Sequence, residues 1–307
     1  MEIDEFKKKS FFEIKKLTLE ELNEYYRAYR QYKHSKSSKI AGIELRKKIH
    51  SIITLFMKFE RLYLRHSLKI IGDERINTGK PRVYAVTHVG RYDIETVIES
   101  LKDDAWFVWG DPGELYRSLE IILLNAIGMI FVDTDDKEDR KLASEVMVEL
   151  LQQNGNVLIY PEGAWNITEN EIVMKLFVGT VKAAIQGKAD IIPVAVEYYG
   201  NDYFVNIGKN IDTSNMKIGD VREESDKLRD VMATLKWDIW EYVVARNGLF
   251  KRSSLPNNCR EIFLEEIMKD SDNGYTVDVI NNTRFIDKEI VTADEAFEHL
   301  AQMDISK

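Results

Sequence analysis

One cysteine, Cys259, stands in 307 residues. That excludes an internal disulfide framework and a cysteine-rich zinc site, and it fits a reducing compartment. Proline is also scarce, at five, and no repeat or low-complexity stretch interrupts the chain. No run reaches the length of a membrane-spanning helix. The longest apolar stretch, Leu119 to Val132, contains Glu120 and Asn125. The opening residues, Met1 to Lys9, are charged, and no apolar core of a signal peptide follows. Neither a G-x-G-x-x-G nor a Walker loop is present, so there is no nucleotide fingerprint. The net charge of −9 argues against a nucleic-acid partner.

What is present is the composition of a soluble globular chain, 44% hydrophobic and 31% charged, long enough for one large domain or two. The charge is unevenly spread. Residues 1–72 hold 17 Lys/Arg against 9 Asp/Glu, while the remainder is strongly acidic. A basic amino-terminal segment on an acidic body suggests a surface that meets anions.

That segment reads as two helices. Thr18-Leu19-Glu20-Glu21 is a capping box opening a helix to about Tyr32. A longer helix is expected from about Ile43 to Ile71, with Leu45, Ile49, Ile52, Phe56, Phe59 and Tyr63 at spacings of three and four. Arg46, Lys47, Lys48, Lys58, Arg61, Arg65 and Lys69 occupy its other positions. The pattern suits a helix lying in a membrane interface and equally a stripe packed on the protein's own sheet. His50 and His66 read as structural.

From Lys80 to Gly208 strands and helices alternate, which favours an α/β sheet. Strands are expected at 82–87, 105–109, 129–133, 156–160, 191–197 and 203–207. Helices are expected at 94–101, 114–126, 137–153 and 178–187, with Asn154-Gly155 ending the third. Beyond Gly208 a helix over 221–245 carries Leu228, Val231, Leu235, Ile239 and Val243. Pro256 marks a break, a short helix follows at 261–268, and Thr292 caps a last one. The fold class is therefore α/β, a mixed central sheet flanked by helices. The organisation expected is an amino-terminal two-helix element at 1–72, an α/β domain at 73–212, and a helical extension at 213–307 packed on that domain.

Four stretches carry chemistry. Val83 to Asp93 reads strand, tight loop, helix, with His88 at the strand's carboxyl end and Asp93 at the helix start. A carboxylate there orients an imidazole and stabilises its protonated form; the alternatives are a helix cap and an ordinary buried histidine. Ala126 to Val132 is apolar around Gly128. Val157 to Gly163 is a strand ending in Pro161-Glu162-Gly163. Ile191 to Val196 is a buried strand interrupted by Pro193.

In this order the four blocks resemble the glycerophospholipid acyltransferase family, which includes 1-acylglycerol-3-phosphate acyltransferases. The resemblance covers about residues 75–210. It implies a fold of that family and transfer of a fatty acyl group from a thioester, acyl-CoA or acyl-carrier protein, to a hydroxyl of a lysophospholipid. It implies His88 as general base poised by Asp93, with no cofactor and no metal. Backbone N–H groups near Gly163 are candidates to stabilise the oxyanion. Glu162 is expected to bond the acceptor or hold the loop. It further implies that residues 1–72 seat the enzyme on an anionic membrane surface, placing it on the cytoplasmic, inner face.

Two departures stand out. Thr87 and Gly90 occupy positions where the family usually has Asn and Ser. More consequentially, Ala164-Trp165 follows Gly163 where Thr-Arg is usual, so the cation expected to grip the acceptor's phosphate is replaced by an indole. Arg91, Lys175 or Lys182 would then supply charge, or the acceptor lacks a phosphate monoester and Trp165 meets a sugar or acyl chain. The alternative to an enzyme is a non-catalytic lipid-binding protein on the same fold. A hydrolase using the same dyad is a third reading, but no convincing nucleophile supports it.

Overall fold

The computed structural model describes residues 6–37, 40, 42–89, 93–110, 112–118, 120–166, 171–199 and 201–247. Helices α1 (Phe11–Ile14) and α2 (Leu19–Lys36) open it. Thr18 caps α2 as the sequence predicts: its hydroxyl accepts from Glu21 N, and the Glu21 carboxylate accepts from Thr18 N at 2.7 Å.

The helix expected over 43–71 is shorter than the sequence implies. Helix α3 (Ile43–Tyr63) stops at Tyr63, and strand β1 (Ser67–Asp73) follows. Arg65 adopts a left-handed backbone, φ 60°. The N–H groups of Arg65 and His66 then close on the carbonyls of Leu62 and Arg61, the capping geometry that glycine usually supplies. With no glycine there, the stop is silent in the sequence.

Beyond β1 the elements alternate: β2 (Arg82–Val86), α4 (Asp93–Leu101), β3 (Trp106–Gly110), α5 (Glu120–Ile127), β4 (Met129–Val132), α6 (Lys137–Gln152), β5 (Val157–Ile159), α7 (Gly179–Gly187), β6 (Asp190–Tyr199), β7 (Asp202–Ile207) and α8 (Val221–Asn247). The helix expected over 114–126 is divided. A 3-10 turn, Gly113–Arg117, ends at Ser118, and α5 begins afresh. Asn154 and Gly155 do end α6, donating to the carbonyls of Leu151 and Leu150 at 2.9 Å.

Among the described residues seven strands form one sheet in the order β1-β7-β6-β2-β5-β3-β4. β6 and β7 are antiparallel and the other pairs parallel. Because β1 pairs with β7, the sheet begins at Ser67, and a boundary after residue 72 cuts through its edge strand. Side chains alternate across a strand, so Tyr84 and Val86 of β2 face one layer and Val83 and Ala85 the other. Val97, Ile98 and Leu101 of α4 cover the first layer. The apolar faces of α6 and α7 and the start of α8 cover the second.

Two expectations about the helices change. On α8 the buried stripe is Leu228, Met232, Leu235, Ile239 and Val243, whereas Val231 is 39% exposed. On α3 the stripe of Leu45, Ile52, Phe56, Phe59 and Tyr63 faces away from the sheet, each residue at least 58% exposed. Ile53 and Met57 pack on the core instead. Two of the basic residues turn inward: Arg46 donates to the Ala105 carbonyl at 2.6 Å, and Arg61 pairs with Glu99 at 2.6 Å. The helix and cap expected beyond Pro256 lie outside the described residues.

Candidate active site

Strand β2 lies between β5 and β6, and its carboxyl end delivers His88 to the edge of the sheet where α/β ligand sites form. Thr87 makes that exit rigid. Its N–H donates to Val194 O at 3.0 Å, and its hydroxyl accepts from Val196 N at 2.8 Å. The side chain thus continues the β2–β6 ladder after the backbone has turned away.

Asp93 is fully buried at the start of α4. Its Oδ2 lies 2.6 Å from His88 Nδ1 and accepts from Val89 N at 3.0 Å. The positive end of the α4 backbone favours a carboxylate there. A carboxylate only accepts, so Nδ1 carries the proton and Nε2 keeps its lone pair. His88 is 20% exposed through its side chain, against 0% for Asp93. One nitrogen is anchored in the interior and the ring still reaches the surface.

Glu162 makes contacts with the loop around the site. It is fully buried, and its two oxygens accept from the N–H groups of His88 and Met174, at 3.2 and 2.8 Å. Both oxygens thus hold the loop. Burial pushes its carboxyl above the ordinary carboxylate range. The charge of Lys236 and the two N–H groups pull it back.

Gly163, the oxyanion candidate, sits in the turn after β5. Its N–H donates to Tyr160 O at 3.0 Å, closing the turn after β5. Its φ is +71°, and a Cβ there would come within 2.4 Å of the Phe177 ring. Glycine is required by the turn and by that close approach.

Trp165 stands beside His88: the two rings meet edge-to-face, with centroids 5.9 Å apart. Asn166 N donates to the His88 carbonyl at 3.0 Å, and its amide donates to the carbonyls of Glu171 and Ile172. Lys175 is exposed in the same loop, next to the Met174 that Glu162 holds, and Lys182 is exposed on α7. Arg91 and Gly90 lie outside the described residues.

The sequence reading missed Tyr160. Its ring stacks on His88 at 4.2 Å and 23°, and its hydroxyl is buried. Burial first, then the negative charges of Asp93 and Glu95, hold that hydroxyl protonated, well above the ordinary range. Its place one residue before Pro161 was visible, but nothing in the sequence says which way a strand-end side chain points.

Residues 67–197 match the family model Acyltransferase. Among solved structures, the fold is similar to that of the 1-acyl-sn-glycerophosphate (LPA) acyltransferase PlsC from Thermotoga maritima. That match has a TM-score of 0.51 and 15% sequence identity, and it covers 69% of this chain and 89% of that one. At that identity the likeness is one of fold. No curated protein sequence matches the chain. The family-model match spans β1 to the Glu197 position of β6. The match to the Acyltransferase family model thus falls on the part of the sheet that carries His88 and Asp93, within a fold similar to that of PlsC.

Proposed function

We propose that this enzyme moves a fatty acyl group from an acyl thioester, acyl-CoA or acyl-carrier protein, to a hydroxyl of a lysophospholipid, with His88 as general base and Asp93 orienting it. The observation that carries the reading is the 2.6 Å contact between Nδ1 and a fully buried carboxylate. His88 Nε2 takes the acceptor hydroxyl's proton as its oxygen attacks the thioester carbonyl carbon. The tetrahedral intermediate then collapses, the C–S bond breaks, and the leaving thiolate takes the proton back from His88. No covalent intermediate on the protein is needed, and the reaction requires no resident cofactor.

A membrane surface as the place of work is supported by α3. Leu45, Ile52, Leu55, Phe56, Phe59, Leu62 and Tyr63 are all exposed along it, an apolar patch that water alone does not explain. No described helix is long and apolar enough to cross a membrane, and a one-sided apolar helix suits an interface instead.

The test is acyl transfer read by mass spectrometry, with wild type and His88→Ala each offered acyl-CoA or acyl-carrier protein and a panel of lysolipids. Product from wild type alone supports the proposal and identifies the acceptor by mass. Equal product from both enzymes ends the role given to His88.

A further inference from the structure

Asp93 holds the His88 ring through one contact, Nδ1 to Oδ2 at 2.6 Å. With the covalent bond at Cγ, that contact pins two neighbouring atoms of a flat ring. It leaves a tilt about the line that joins them, and Nε2 lies off that line. The tilt swings the reactive nitrogen without breaking the contact to Asp93. Only something resting on the face of the ring opposes it.

Tyr160 rests there. Its ring lies on the imidazole with centroids 4.2 Å apart and planes 23° from parallel. The fold holds it in place from both sides. β5 pairs with β2 through Leu158 with Tyr84 and Ile159 with Ala85. Alternation along the strand then turns Tyr160 into the layer that α4 covers, where it packs against the core beside Leu158. Beyond it, the Tyr160 carbonyl accepts from Gly163 N at 3.0 Å and the Pro161 carbonyl from Phe177 N at 2.9 Å. Pro161 also restricts the backbone of the residue before it. The Tyr160 hydroxyl is buried, so it is the face of the ring that meets His88. That electron-rich face attracts the positive charge His88 acquires with the acceptor's proton.

We propose that Tyr160 is a positioning residue for His88, its ring face and the Asp93 carboxylate together setting the plane of the imidazole and so the direction of Nε2. Asp93 decides which nitrogen carries the proton, and Tyr160 decides where the other one points. The inference rests on His88 as the base. A reacting group misplaced by about 1 Å loses up to roughly 100-fold in rate. The tilt moves the base and not the acceptor, so the loss belongs to kcat rather than to KM.

The test compares full-length wild type, Tyr160→Phe, Tyr160→Leu, Tyr160→Met and His88→Ala. Phenylalanine keeps the ring face and drops the hydroxyl. Leucine and methionine keep apolar bulk without a flat face, and the second stands in if the first does not fold. Each protein is assayed for kcat and KM, and nitrogen NMR of isotope-labelled histidine reads the His88 ring, assigned with His88→Ala. Tyr160→Phe should keep kcat within about twofold of wild type, and Tyr160→Leu or Tyr160→Met should lose roughly 10–100-fold with KM little changed. The His88 nitrogen shifts should stay those of the Nδ1–H tautomer in Tyr160→Phe and move toward mixed tautomers in the other two. Unmoved shifts in the leucine and methionine variants would overturn the proposal, as would wild-type kcat in them or a loss carried by KM alone. An equal loss in Tyr160→Phe would also overturn it, by giving the role to the hydroxyl. Activity in His88→Ala would instead sink the general-base reading, while the nitrogen shifts still decide whether Tyr160 holds the ring.

Discussion

One oxygen of Asp93 serves both His88 Nδ1, at 2.6 Å, and the backbone N–H of Val89, at 3.0 Å. The acid therefore fixes the ring and the turn that carries it together. Asp93→Asn keeps the size but turns an obligate acceptor into a group that also donates, which favours the tautomer with its proton on the wrong nitrogen. The expected loss in kcat is roughly 10²–10⁴-fold, with a melting transition close to wild type. A variant within threefold of wild type under saturating substrate would refute the orienting role.

Gly163→Ala meets two separate penalties. The left-handed backbone costs about 1–2 kcal/mol for a residue with a Cβ, and the new methyl lies within 2.4 Å of Phe177. Urea denaturation of Gly163→Ala, Phe177→Ala and the double variant separates them. The double variant should recover the steric part and keep the backbone part. Full additivity would mean that the two residues do not touch.

Arg46 shows why the chain spends a basic residue of α3 on the interior. Its guanidinium lies 3.0 Å from Asp104 and 4.9 Å from the Trp106 ring centroid. Its Nη1 lies 1.9 Å from where a Cβ of Gly128 would be. Burial brings its pKa down to about 10, against the pull of Asp104. Arg46→Met fills the space but leaves buried Asp104 with His50, 3.7 Å away, in place of a guanidinium, and should cost about 3–5 kcal/mol in chemical denaturation. Adding Asp104→Asn should restore part of it; no restoration would show that packing, not charge, is lost.

His50 gives the fold a dependence on acid. Burial lowers its pKa below the ordinary 6.5, outweighing Asp104. The unfolded chain then binds a proton that the folded one refuses, so stability is full above pH 6.5 and falls as the pH drops through that value. Wild type should lose more stability between pH 7.5 and 5.5 than His50→Gln does. Parallel losses in the two proteins would assign the effect elsewhere.

If α3 seats the enzyme on lipid, Phe56→Ser/Phe59→Ser should cut sedimentation with anionic vesicles several-fold, since each ring brings roughly 2–3 kcal/mol of burial. The rate on a detergent-dispersed acceptor should stay near wild type. Unchanged sedimentation would leave the exposed face of α3 without a lipid partner.

The sequence by itself determined strands β2, β4 and β6, because they are apolar runs bounded by charged or turn-forming residues. It also determined the pairing of His88 with Asp93, since both sit at the ends of elements that a tight loop joins. It fixed where α2 begins and α6 ends, through Thr18 and Asn154, whose side chains announce caps. Tertiary structure decided the rest. The end of α3 rests on a left-handed Arg65, a conformation no arginine advertises. That Glu162 accepts from two loop N–H groups and that Tyr160 stacks on His88 was not legible, because direction at a strand end is set by packing. Lys236 and Glu197 are far apart along the chain, and only the docking of α8 on β6 sets the lysine Nζ 2.9 Å from that buried carboxylate. Local pattern records what each segment can form; long-range contact alone records which buried charge meets which.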